Sequence, residues 1–215
     1  AEQNATGSRL YPQVASRPIG LLSSLAGYHP YMRRRAYLNL VHLPVSERAA
    51  AMRDPQVRAA ILTGDDVPPA LQGSMENLYL ALQMATPGMY PLDEVVDYEP
   101  TAEHTFAALA AARGTTPEEL MYDFLCEGDG TNVATIMGTG YVDGNMDAMR
   151  EMLVDPVTVT GLADAGAHVK LICDGSAPST QLSLWTRDRT RGETIPLEFV
   201  VEKQTRRNAR LYGLA

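Results

Sequence analysis

The chain has 215 residues, 45% of them hydrophobic and 20% charged, with a net charge of −8. That is enough chain for one or two domains with a substantial core. The acidic balance argues against general nucleic-acid binding, which needs a basic surface, and no apolar run reaches the length of a membrane-spanning helix.

In chain order, residues 1–8 read as the tail of a helix. Residues 10–16 alternate enough for a strand. Arg17-Pro18 stops it, because the residue before a proline leaves the helical region and proline lacks a donor. Residues 19–45, with Gly20, Gly27, Pro30 and Pro44, read as irregular. A helix is predicted over 46–62, capped by Ser46 and broken in two at Asp54-Pro55. Residues 65–69 are a loop, 74–84 a helix, and 86–100 a loop with room for one short strand. The next helix, 101–113, stops at Gly114, a natural left-handed terminator. The clearest start in the chain follows: Thr116 to cap, Pro117 at the first helical position and Glu119 to complete a capping box. Leu120, Met121, Phe124 and Leu125 give that helix an apolar face, and Gly128 ends it. A short helix at 146–153 is punctuated by Asp155-Pro156. Residues 157–162 are a nearly continuous apolar strand, as expected for a parallel strand covered on both faces. Two helices, 178–191 and 196–211, close the chain.

The most informative stretch is the end of that last strand. Asp164 opens a turn of small residues, Ala163-Asp164-Ala165-Gly166-Ala167-His168. Small neighbours let backbone and substrate approach closely, so the turn can present an acid at a sheet's carboxyl edge or merely cap itself. His168 reads either as a substrate contact at a pocket rim or as a hydrogen-bonded loop histidine. Tyr11 and Arg17 flank the first strand, where pocket lining and packing explain them equally. Arg187, Arg189 and Arg191, beside Asp188 and Glu193, read as surface or inter-helix ion pairs. Met146, Met149 and Met152 read as core filling. Cys126 and Cys173 make neither a disulfide framework nor a zinc knuckle and read as reduced thiols of a cytoplasmic protein. No G-x-S-x-G elbow supports a serine hydrolase built from Asp164, His168 and Ser176.

Several segments together resemble a known family. These are residues 159–169 (Val-Thr-Gly-Leu-Ala-Asp-Ala-Gly-Ala-His-Val), 184–193 (Leu-Trp-Thr-Arg-Asp-Arg-Thr-Arg-Gly-Glu), Pro196-Leu197-Glu198 and 205–214 (Thr-Arg-Arg-Asn-Ala-Arg-Leu-Tyr-Gly-Leu). Residues 13–18 (Gln-Val-Ala-Ser-Arg-Pro) and Tyr122-Asp123-Phe124-Leu125 fit the same pattern. The chain resembles the carboxyl-terminal part of the N-acyl-D-amino-acid deacylase branch of the amidohydrolase superfamily. Members are distorted TIM barrels that bind one or two metal ions, usually zinc. A His-x-His pair, further histidines, a bridging residue and an aspartate after the eighth strand hold the metal.

The resemblance implies an α/β fold, helix-rich overall: a partial TIM barrel contributing its last two strands, with a large helical insertion. Residues 1–18 and 154–215 would form the barrel part and 19–153 the insertion. Asp164 would be the final aspartate, serving as catalytic acid/base and as a metal ligand, with His168, Tyr11 and Arg17 contacting substrate. The chemistry implied is hydrolysis of an amide-type C–N bond by water that a metal activates. The four histidines, His29, His42, His104 and His168, form no His-x-His pair, and zinc needs three or more protein ligands. The expectation is therefore a fragment that is inactive and metal-free alone, with zinc in the longer parent. The expected partner is a small amide substrate, with no nucleic acid and no membrane; homo-oligomer formation stays open, and so does a non-enzymatic helical interaction domain. Residues 176–181 carry no arginine for a substrate carboxylate, although characterised members of the branch have one shortly after the aspartate.

Overall fold

The computed structural model describes residues 2–163, 166, 168–172 and 174–214. They group into two compact units. The first comprises Ala1–Ile19, Gly138–Val169 and Cys173–Ala215, and the second Gly20–Met137 with Lys170–Ile172. Among the described residues there are five strands: β1 (Gln13–Val14), β2 (Gly20–Ser23), β3 (Tyr90–Pro91), β4 (Ala134–Met137) and β5 (Val159–Thr160). No helix among them is long and apolar enough to cross a membrane.

In the first unit β1 and β5 pair in parallel, Gln13 opposite Val159 and Val14 opposite Thr160. The Val159 N–H donates to the Pro12 carbonyl at 2.9 Å and the Gly161 N–H to the Val14 carbonyl at 3.0 Å. The parallel sheet has these two strands among the described residues, and no closed barrel forms. Two lone strands are marginal without cover. Here the carboxyl-terminal helices supply it: Ala177–Ser183, which runs on through a π-helical turn at Leu184–Asp188, and Leu197–Glu202, which continues through a second π turn at Lys203–Arg207 to Asn208–Leu211. Val14, Ser16 and Thr158 are buried. The Ser16 hydroxyl donates to the Ala177 carbonyl at 2.7 Å, and the Trp185 indole N–H donates to the Ser16 carbonyl at 2.6 Å. Met146 and Met149 fill the core as their spacing predicts, whereas Met152 is 43% exposed.

The second unit differs from the expected helical block, although β3 falls within the 86–100 loop that left room for one short strand. Residues read as irregular or as loop form a three-stranded antiparallel sheet in the order β2-β4-β3. Gly20 pairs with Met137, Leu21 with Ile136, Leu22 with Thr135 and Ser23 with Ala134. Pro91 sits on the outer strand β3, the one place in a sheet where a missing donor is tolerated. Gly20 cannot be another residue, since a Cβ there would lie 2.1 Å from the Ile136 carbonyl oxygen. Strands of two to four residues are too short to show the alternation by which a strand is recognised in sequence.

The helices of this unit follow their local chemistry. Asp54 accepts from the backbone N–H groups of Gln56 and Val57 and starts Pro55–Thr63, separating it from Val45–Met52. Pro44, not Ser46, occupies the capping position of Val45–Met52, because the chain turns helical one residue earlier than the serine. Gly114 ends Phe106–Arg113 at φ 67°. Thr116 and Glu119 form a reciprocal capping box at the head of Pro117–Cys126. That helix contributes Leu120, Met121, Tyr122, Leu125 and Cys126 to one core, together with Leu25, Met52, Ile61, Leu82 and Phe106. The Tyr122 hydroxyl donates to the Met52 carbonyl at 2.9 Å. Replacing Thr116 by Ala is expected to lower stability by about 1 kcal/mol, read as a lower urea midpoint with unchanged slope.

Candidate functional site

Asp164, the residue on which the sequence reading converges, lies outside the described residues, as do Ala165, Ala167 and Cys173. Its flanks are described. β5 ends at Thr160, and Leu162 then takes φ 62°, Gly166 φ 95° and His168 φ 52°. Glycine adopts that region freely, but leucine and histidine pay for it with strain of order 1–2 kcal/mol. Such outliers concentrate in functional loops that the surrounding structure holds in place. Leu162 is 44% exposed, so no burial of its side chain accounts for the conformation.

The carboxyl ends of the two strands are held by polar side chains that sequence reasoning did not single out. Ser16 is fixed by the Ala177 carbonyl and the Trp185 indole. The buried Gln181 amide donates to the Thr160 hydroxyl at 3.3 Å and accepts from the Gln204 amide at 2.7 Å. Gln204 donates also to the Pro178 carbonyl at 3.0 Å. A pocket of about 210 Å³ opens here, lined by Ser16, Thr160, Gly161, Ala163, Pro178, Gln204 and Asn208. It is smaller than the 300–1,000 Å³ usual for a whole ligand, so it suits one polar group of a larger substrate. The signal available in the sequence was faint: Thr158 and Thr160, two apart, mark one strand face.

Of the other predicted site residues, Arg17 follows β1 and its guanidinium lies 3.7 Å from the Asp174 carboxylate, both side chains half-buried. His168 is exposed. Tyr11 precedes β1 and lines a second pocket with Pro156, Thr158, Val159, Arg207, Arg210 and Leu211, at the amino ends of the strands. Arg17 and Tyr11 therefore lie at opposite ends of β1. Arg187 pairs with Asp188 on the surface, whereas Arg189 is buried, with Asp147 at 2.6 Å and the Trp185 ring 5.0 Å beneath its guanidinium.

No cluster of three or more His, Cys, Asp or Glu side chains able to hold a metal occurs among the described residues. His29 is buried in the second unit against Tyr37, and His42 and His104 are exposed. The donor set thus does not fit a metal site by itself. Cysteine chemistry fits no better at Cys126, because burial, reinforced by Asp123, pushes its thiol up to about 12, far from the thiolate a nucleophile needs.

An α/β unit whose polar loop follows a parallel strand is the architecture of enzymes that place their chemistry at the carboxyl edge of a sheet. The model of the amidohydrolase family matches residues 7–215, and the chain belongs to that family. Its class is accordingly that of the hydrolases of the amidohydrolase superfamily. Comparisons with curated proteins and with solved structures returned no match.

Proposed function

We propose that this chain supplies the last two strands and the final aspartate of an amidohydrolase active site that cleaves amide-type C–N bonds. N-acyl-D-amino acids are the proposed substrate class. In this reading β1 and β5 are the seventh and eighth strands of a barrel, and the second unit is inserted between them. The observation that carries it is the parallel pairing of β1 with β5, residues far apart in sequence, in a chain that belongs to the amidohydrolase family.

Asp164 lies four residues beyond Thr160, the last residue of β5, within the loop strained at Leu162 and His168. Its carboxylate takes a proton from the attacking water and returns it to the leaving nitrogen, the two duties of a general acid–base in amide hydrolysis. Arg17 and His168 are assigned to the substrate. Zinc is the metal we infer for the active assembly, with Asp164 as one holder; the described residues offer no cluster of three or more further donors.

Asp164→Asn tests the reading in the assembly that hydrolyses N-acyl amino acids, with amine release as the readout. The substitution keeps the shape of the side chain and removes the proton acceptor. Turnover is expected to fall by about 10²- to 10⁴-fold while the far-ultraviolet circular dichroism stays unchanged. Wild-type turnover in the variant overturns the assignment.

A further inference from the structure

At the amino ends of β1 and β5, away from the Asp164 loop, a pocket of about 200 Å³ is lined by Tyr11, Pro156, Thr158, Val159, Arg207, Arg210 and Leu211. Two of its walls are cationic. The Arg207 guanidinium rests on the Phe199 ring at 4.5 Å, and its nearest carboxylate, that of Glu202, is 3.8 Å from Nη2. Its Nη1 is shut off from solvent without a hydrogen-bond partner. Arg210 is exposed and has no ion pair or hydrogen bond from its side chain among the described residues. Tyr11, 46% exposed, adds a phenol.

A buried guanidinium N–H with no acceptor is costly and in native structures is usually met by an ion or ordered water. Behind the pocket a third cation is buried. Lys203 donates to the Thr158 hydroxyl at 2.6 Å and the Asp155 carbonyl at 3.0 Å. Burial, helped by the nearby Arg207 charge, holds its amine down at about 8. The Asp155 carboxylate works in the other direction on Lys203, and the pocket lining itself holds two arginines and no carboxylate.

We infer that this pocket is a binding site for a phosphate-class oxyanion, held by the Arg207 and Arg210 guanidiniums with the Tyr11 hydroxyl as a further donor. Guanidinium forks match the oxygens of phosphate and of carboxylate alike. The excess positive charge and a volume larger than a lone carboxylate needs favour a multiply charged tetrahedral anion. The site is separate from the hydrolytic loop and does not depend on the hydrolase reading.

Inorganic phosphate, titrated into the 215-residue chain by calorimetry at constant ionic strength, is the probe, with acetate as the second arm. Saturable phosphate binding is expected, at least tenfold tighter than acetate. Arg207→Gln and Arg210→Gln should each weaken it at least tenfold. Arg210→Gln removes no side-chain hydrogen bond or ion pair found among the described residues, so it stays informative if the Arg207 variant is unstable. A nuclear magnetic resonance titration of the Lys203 side chain adds an independent readout, since a bound anion should raise its pKa. Absence of saturable binding means that water alone meets Arg207. Binding that survives both substitutions places the anion elsewhere, and acetate as tight as phosphate removes the phosphate class; each of these results overturns the inference.

Discussion

Acidification is expected to destabilise the second unit through His29 alone by roughly 3 kcal/mol between pH 7 and pH 4. The imidazole is fully buried, its Nδ1 accepts the Tyr31 N–H at 3.3 Å, and its ring meets Tyr37 edge-on at 4.5 Å. Burial first, and then the Arg48 charge, hold its pKa at about 3 against an ordinary 6.5. Arg48 is held there by the Tyr37 hydroxyl at 2.7 Å and the Leu25 carbonyl at 3.0 Å. The folded pKa lies below the unfolded one, so between pH 3 and 6.5 the unfolded chain binds the extra proton. Stability then falls with falling pH over that window and levels off below it. Each pH unit inside it is worth about 1.4 kcal/mol, or roughly 5 kcal/mol over the whole span. Urea unfolding followed by circular dichroism, for the wild type and His29→Phe, reads this out. The phenyl ring keeps the contact with Tyr37 and cannot titrate, so its stability should depend less steeply on pH. Parallel curves for the two proteins would contradict the burial of a neutral imidazole.

The second large effect falls on the first unit. Trp185 is fully buried. Its indole N–H holds the Ser16 carbonyl, its own carbonyl accepts the Ile195 N–H at 2.7 Å, and its ring supports the Arg189 guanidinium. Trp185→Ala is expected to cost about 3–5 kcal/mol for the cavity and lost burial. It also leaves the Ser16 carbonyl without its indole donor and Arg189 without its platform. Trp185→Phe keeps most of the volume and loses the hydrogen bond, for an expected cost of about 1–3 kcal/mol. Circular dichroism has to be the probe, because this is the chain's one tryptophan. Equal stability for the Ala and Phe variants would show that packing at this position contributes little.

What the sequence made legible was chemistry that acts over three or four residues. Asp54 with Pro55, Gly114, and Thr116 with Pro117 and Glu119 each set a helix end where it is found, because the donor and acceptor concerned are neighbours in the chain. Ser46 shows the limit: a good capping residue stands one position inside a helix that the proline before it had already begun. Of the sheet β2-β4-β3 only the short strand allowed within 86–100 was legible, since its strands are too short for a period and β2 and β4 pair residues more than 100 positions apart. The partnership of Trp185 and Ser16, 169 positions apart, was equally out of reach. Asp164 stood out through the small residues around it and through family resemblance, while the Thr160, Gln181 and Gln204 chain beside its loop depends on a helix crossing that only coordinates reveal.

The β1–β5 ribbon also sets an order of assembly. β1 cannot find its partner until nearly 150 further residues have been made. Bringing such distant ends together costs about 4 kcal/mol of chain entropy. Gly20–Met137 of the second unit, whose helices close over local contacts, are free to form in the interval and shorten that search. A nascent chain halted before Val159 would carry Gly20–Met137 of the second unit and a waiting β1.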